Sequence, residues 1–139
     1  MRRCMGSGFT LVELMVVGVI VAILAAVAIP LMLQNKKQAM LTEADSGCGA
    51  VRTALTVYST LNGNYPTNGL YSSITGVGAH DLDGTYFSTP DYAFTQSGSN
   101  FTITATGNSA GTTAPRASQV AGMVVTFTSQ NGKFQHAGL

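Results

Sequence analysis

The residues of this 139-residue chain that could do chemistry are few and lie far apart. His80-Asp81-Leu82-Asp83-Gly84 is the densest polar cluster. Asp81 and Asp83, with Gly84 to turn the chain, could offer oxygen ligands to a calcium ion. The full ligand series of a calcium loop is absent, and no glutamate follows at the right spacing. Calcium is therefore the weaker reading and a solvated turn the default. Cys4 and Cys48 flank a long apolar segment, so a bridge between them would join opposite ends of a rod. Neither has the C-x-x-C partner of a zinc or redox site. His136, near the end of the chain, reads as exposed. No Ser/His/Asp or Cys/His set, no H-E-x-x-H and no glycine-rich phosphate loop can be assembled. The chain does not read as an enzyme. It calls for no cofactor beyond the weak calcium candidate.

One carboxylate stands out by its surroundings. Residues 14–33 carry no charged or hydrogen-bonding side chain, and Glu13 sits at their N-terminal edge. As a helix rising 1.5 Å per residue, that run covers about 30 Å, the thickness of a bilayer core. A carboxylate in lipid costs roughly 2.5–3.5 kcal/mol at a helix centre and less near an end. It therefore wants either a headgroup environment or a cationic partner.

Three readings of the first third compete. Arg2 and Arg3 could be the basic start of a secretory signal peptide, with Ala26-Val27-Ala28 as an A-x-A cleavage site. An acidic residue opening the apolar stretch fits this poorly, and the apolar region is too long. A plain membrane anchor accounts for the length but gives Gly8, Phe9 and Glu13 no role. The third reading takes these residues as a set with a short basic leader.

Gly8-Phe9-Thr10-Leu11-Val12-Glu13, followed by a membrane-length apolar run, resembles the processing site of the type IV pilin and pseudopilin family. The resemblance implies cleavage by a prepilin peptidase between Gly8 and Phe9, N-methylation of Phe9, and retention of the apolar run. It makes residues 1–8 a leader, 9–33 a transmembrane and filament-core helix, and 34–139 a periplasmic or extracellular domain. A glycine before the cut, lacking Cβ, lets the chain lie extended in a protease groove. The cut also creates a cation, the α-amine of Phe9. Within one helix Phe9 and Glu13 would be an i,i+4 pair. In a fibre the amine of a neighbouring subunit is the alternative, and the resemblance favours it, so Glu13 would set assembly register.

Composition narrows the class. Charged residues make up 9% and apolar residues 45%, too apolar for a disordered chain and too poorly charged for a typical cytosolic domain. The formal charge of +1 argues against binding nucleic acid through bulk charge. Beyond the leader, Lys36, Lys37, Arg52, Arg116 and Lys133 face six carboxylates. Basic residues lie on both sides of the apolar run, so charge alone does not orient it. The resemblance places the leader in the cytoplasm and the rest outside. It implies a single-pass inner-membrane precursor that enters an extracellular pilus or a periplasmic secretion pseudopilus.

The remaining elements must position this anchor. Pro30 predicts a kink near residues 24–28, and Gly18 is a second weak point. The resemblance covers both as helix breaks within a fibre core. Beyond Lys37, Leu41, Ala44, Cys48, Val51, Leu55 and Tyr58 recur at spacings of three and four, the stripe of an amphipathic helix. Cys48 falls on that stripe and reads as a small buried hydrophobe. The helix should end near Leu61, with Gly63 as its cap and Pro66 blocking continuation. From Phe9 to Leu61 it would measure about 80 Å.

Residues 63–84 read as a polar connecting loop. Strand signals follow at Tyr86-Phe87 and at residues 92–96. Further signals are the alternation of Phe101, Ile103 and Ala105 with threonines and that of Met123, Val125 and Phe127. Ser97-Gly98-Ser99-Asn100 reads as a turn, and Asn131-Gly132 as a hairpin into Lys133-Phe134-Gln135. Residues 106–119 read as a mobile polar loop. The fold class is α+β: a long N-terminal α-helix packed on a small antiparallel sheet of three to four strands.

Many type IV pilins close a C-terminal loop with a disulfide, and this chain has no cysteine there. That departure leaves the pilus type open and raises a type II secretion pseudopilin or a minor subunit as alternatives. A tip subunit that captures DNA or a surface is the reading from another class. The partners implied are copies of this chain, related major and minor pilins, a prepilin peptidase, an inner-membrane platform protein with its assembly ATPase, and a secretin.

Overall fold

The computed structural model describes residues 8–138. Arg2, Arg3, Cys4 and leader residues 1–7 lie outside the described residues. The first element is one helix, α1, Leu11–Asn62. The chain divides after Lys36 into two units, and α1 contributes to both.

Within the first unit, α1 is apolar all round from Leu14 to Leu33. Every large apolar side chain from residue 11 to residue 33 is more than half exposed. The helix starts where Thr10 supplies a cap and continues through Gly18 and Pro30 without interruption. Proline has no N–H to give the preceding turn, so one backbone carbonyl there lacks its usual donor.

The second unit is the folded domain. Met40, Leu41, Ala44, Gly47, Cys48, Val51 and Leu55 of α1 are buried, and Tyr58 is half-buried. The helical stripe read from the sequence is thus the packing face. Gly63, at φ 76°, ends the helix, and its N–H donates to the Ser59 carbonyl at 2.8 Å. A left-handed residue here releases the chain from the helix while still satisfying a terminal carbonyl.

The sheet is an antiparallel meander in the order β1 (Gly69–Leu70), β2 (Tyr92–Ser97), β3 (Asn100–Thr106), β4 (Val124–Thr128) and β5 (Lys133–Ala137). Tyr92, Phe94, Phe101, Ile103, Ala105, Val125 and Phe127 point to the helix and are buried. Thr102 pairs with Thr128 and Thr104 with Thr126, on the opposite face. Such threonine pairs suit a half-solvated sheet surface, where branched side chains pack and hydroxyls stay wet. Gly98 at φ 60° turns β2 into β3, and Gly132 at φ 64° leads into β5.

Several expectations needed correction. The sheet has five strands, not three or four. The extra one, β1, is two residues long and pairs with Phe94 and Ala93 inside the segment read as loop. A strand that short has no alternation to read. Tyr86-Phe87 is not a strand; Phe87 is fully buried as a single plug from a loop. The polar segment after β3 is pinned rather than loose. Ser109 donates N–H and Oγ–H to Asp91 Oδ1 at 3.0 and 2.6 Å, and Thr112 donates its hydroxyl to Asp91 Oδ2 at 2.8 Å. Asp91 is 2% exposed. Its buried charge is tolerable because several donors converge on it.

Candidate functional site

Two sets of residues singled out from the sequence fall within the described residues: the start of α1 and the loop that carries Asp81 and Asp83. At the start of α1 the Glu13 carboxylate turns back on the chain. Its Oε2 accepts the Thr10 N–H and the Thr10 hydroxyl, each at 2.9 Å. The Glu13 N–H in turn donates to Thr10 Oγ1 at 3.2 Å. This is a reciprocal capping box, which satisfies donors that the first helical turn would otherwise leave unpaired. The negative charge also lies at the positive end of the helix dipole. Thr10-Leu11-Val12-Glu13 carries the T-x-x-E signature of this motif, so the signal was present in the sequence although Thr10 was not singled out there.

The capping box revises one geometric expectation. Phe9 lies ahead of the helix, so it is not the i,i+4 partner of Glu13 within one helix. One carboxylate oxygen is committed to Thr10. The other takes no hydrogen bond among the described residues. Phe9 is 82% exposed. A Cβ built on Gly8 would meet no described atom within 4 Å, so nothing in the local packing demands glycine there. Gly18 is equally open.

The wall around Glu13 is the apolar face of α1, long and apolar enough to cross a membrane. In water, each exposed Val, Leu or Ile forgoes about 1.5–3 kcal/mol of burial. The segment is therefore built for lipid or for other helices.

The Asp81–Asp83 loop behaves as a set of turns. Asp81 Oδ2 accepts the Gly78 N–H at 2.7 Å. Asp83 Oδ1 accepts the Thr89 N–H at 3.0 Å, and its Oδ2 lies 2.7 Å from His80 Nδ1. The Thr89 bond, reinforced by His80, holds the Asp83 carboxyl below its ordinary range. Among the described residues no group of three or more His, Cys, Asp or Glu side chains is arranged to hold a metal ion. Each aspartate braces its own stretch of loop through the backbone bond it accepts.

His136 is exposed, as read, and it also has a partner: its Nε2 lies 2.9 Å from Asp45 Oδ1 on α1. That contact ties edge strand β5 to the helix. Cys48 is buried on the stripe as expected. Burial, and then the nearby Asp45 charge, push its thiol up to about 12, so it stays protonated at neutral pH.

Against known proteins, the chain is 43% identical over 67 residues to Type II secretion system core protein G of Pseudomonas aeruginosa, covering 48% of this chain and 47% of the relative. It is 43% identical over 77 residues to the Type II secretion system core protein G of Klebsiella michiganensis, covering 54% of each. It is 36% identical over 80 residues to a fimbrial protein of Neisseria meningitidis, covering 58% of this chain and 46% of that protein. No family model matches the chain. The chain thus spans about half the length of the relatives it matches. The likeness to pilins and pseudopilins, read first from residues 8–13 and the apolar run, holds across that span.

Proposed function

We propose that this chain is a structural subunit of a pilin-like filament, processed at its N-terminus and assembled through α1. The observation that carries the proposal is the apolar stretch 9–33, whose large side chains are exposed and which has Glu13 as its one charge. Hydrolysis of the Gly8–Phe9 bond removes residues 1–8 and leaves an amine on Phe9, which is then methylated. Residues 9–33 hold the precursor in the inner membrane and later line the fibre core. Residues 34–139 stand on the periplasmic side and decorate the fibre.

Helix association in lipid gains little from apolarity itself, because lipid tails are as apolar as leucine. Polar groups must therefore supply order. Thr10 fixes Glu13 with one oxygen committed and one open, and the open oxygen meets the Phe9 amine of an adjacent subunit. Gly18 and Pro30 are where the helix unwinds once lipid gives way to neighbouring helices.

The type II secretion relatives favour a periplasmic pseudopilus over an extracellular pilus. Related pilins, a platform protein, an assembly ATPase and a secretin are the remaining partners under this reading. No catalytic role is assigned, and calcium at Asp81 and Asp83 is not part of the proposal.

Mass spectrometry of the mature protein tests the processing step. The expected first residue is Phe9, carrying one methyl group. A mature chain beginning at Ile29 would assign the apolar run to a discarded signal peptide and end this reading.

A further inference from the structure

Within the folded domain, α1 carries opposite charges on opposite flanks. Glu43 and Arg52 are nine positions apart, which places them about 180° apart around a helix of 3.6 residues per turn. Glu43 borders a surface cleft of about 500 Å³ that is also lined by Ser46, Gly47, Asp81, Asp83 and Tyr92. His80, bonded to Asp83, is the basic side chain within ion-pair distance on that side.

The opposite flank is cationic and apolar. The Arg52 guanidinium lies over the Phe127 ring, 5.6 Å from its centroid, and Phe127 packs at a tilt against Phe134 of β5. Asp45 on this flank is engaged by His136. Lys133 adds a second cation on β5. Among the described residues no lysine or arginine lies within 4 Å of a carboxylate; both ion pairs involve histidine. Between the flanks, the exposed face of α1 presents Ser46, Gly49, Ala50, Thr53 and Thr56, with no charge and little bulk.

We infer that the Arg52 flank of one copy docks onto the Glu43–Asp81–Asp83 flank of a second copy. This inference rests on the filament-subunit reading and names the contact between its domains. Charge complementarity selects the occupant: a guanidinium can bridge two carboxylates with a planar fork of donors. The cation–π contact already restrains Arg52 against Phe127, which lowers the ordering cost of docking. The two surfaces differ and lie on opposite sides of one helix. The contact is therefore heterologous, and each added copy presents a fresh acidic flank. Such a contact does not close as a two-fold dimer and, in a filament, repeats from copy to copy.

The test uses the full-length chain in a host that processes and assembles it. A chain carrying both Arg52→Cys and Asp81→Cys is oxidised in the fibre, beside chains carrying either change alone. Buried Cys48 is common to all three. The expected result is a ladder of crosslinked multimers from the double variant and none from the single ones. Separately, Arg52→Glu is expected to lower fibre yield at least tenfold at unchanged subunit level. Wild-type fibres whose double variant gives no crosslink, or dimers alone, would overturn the contact while leaving the subunit reading intact; so would normal fibre yield from Arg52→Glu. A wild-type chain that never forms fibres overturns the subunit reading and this contact with it.

Discussion

The Glu43 carboxylate reaches across from α1 to hold Phe87: its Oε1 accepts the N–H of Tyr86 at 2.7 Å and that of Phe87 at 2.8 Å. Phe87 is fully buried and tilted against Tyr92, with ring centroids 6.2 Å apart. One helix side chain thereby seats an aromatic plug that belongs to no strand. The loop closes beneath it, where the Gly84 N–H donates to the Phe87 carbonyl at 2.8 Å.

Glu43→Ala removes the acceptor and leaves two backbone donors without a partner. Each such loss costs about 1–3 kcal/mol when the group is shielded from water. The expected outcome is a clear fall in the thermal midpoint of the full chain in detergent. Glu43→Gln keeps an oxygen in place and should retain most of the stability. Equal losses from the two variants would show that charge, not the acceptor position, holds the loop.

Thr10 and Glu13 separate helix capping from assembly. Thr10→Ala deletes the hydroxyl that both donates to and accepts from Glu13. Loss of a cap costs about 0.5–2 kcal/mol. The start of α1 should fray, which amide hydrogen exchange over residues 10–14 would report. Glu13→Ala is expected to leave leader removal intact and to reduce fibre yield strongly. Normal fibres from that variant would remove Glu13 from the assembly role.

Gly47 and Tyr92 form a second matched pair. A Cβ at Gly47 would run into the Tyr92 hydroxyl and ring. Gly47→Val should therefore destabilise the domain by about 1–3 kcal/mol through overpacking. Gly47→Val combined with Tyr92→Ala opens the space and should cost less than the sum of the two single changes. Chemical denaturation of the four chains gives the coupling, and strict additivity would contradict the close approach.

Stability should also fall in acid through Asp83. Its folded-state carboxyl lies below its ordinary range because of the Thr89 N–H and His80. A depressed carboxyl contributes stability that is present above the unfolded value, about 3.9, and is lost as pH falls through the folded value. Melting curves recorded downward from about pH 5 should show a steeper decline for the wild type than for Asp83→Asn. Parallel curves would mean that Asp83 carries none of the acid dependence.

Much of the architecture was readable residue by residue. The stripe from Leu41 to Tyr58 repeats with the helical period, so it announced a buried face, and α1 buries that face against the sheet. β2, β3, β4 and β5 alternate or follow turn residues, and each formed close to its expected place. Gly63 was read as a cap and is one. β1 could not be read because two residues have no period. Phe87 was misread because an aromatic pair signals a strand until a distant partner claims its backbone.

By itself the sequence determined the local and one-dimensional properties: an apolar run of membrane length with one carboxylate at its edge, an amphipathic continuation, and a set of short alternating strands. These follow from composition and period, which need no knowledge of what lies across the fold. Tertiary structure alone decided the rest. It put Glu43 under a loop more than forty residues away, joined Asp45 to His136 across the helix–strand boundary, and buried Asp91 among hydroxyls. It also set Arg52 over Phe127 on the flank opposite the acidic cleft. Such contacts depend on which faces meet when the sheet folds onto the helix. Spacing along the chain carries no record of that meeting.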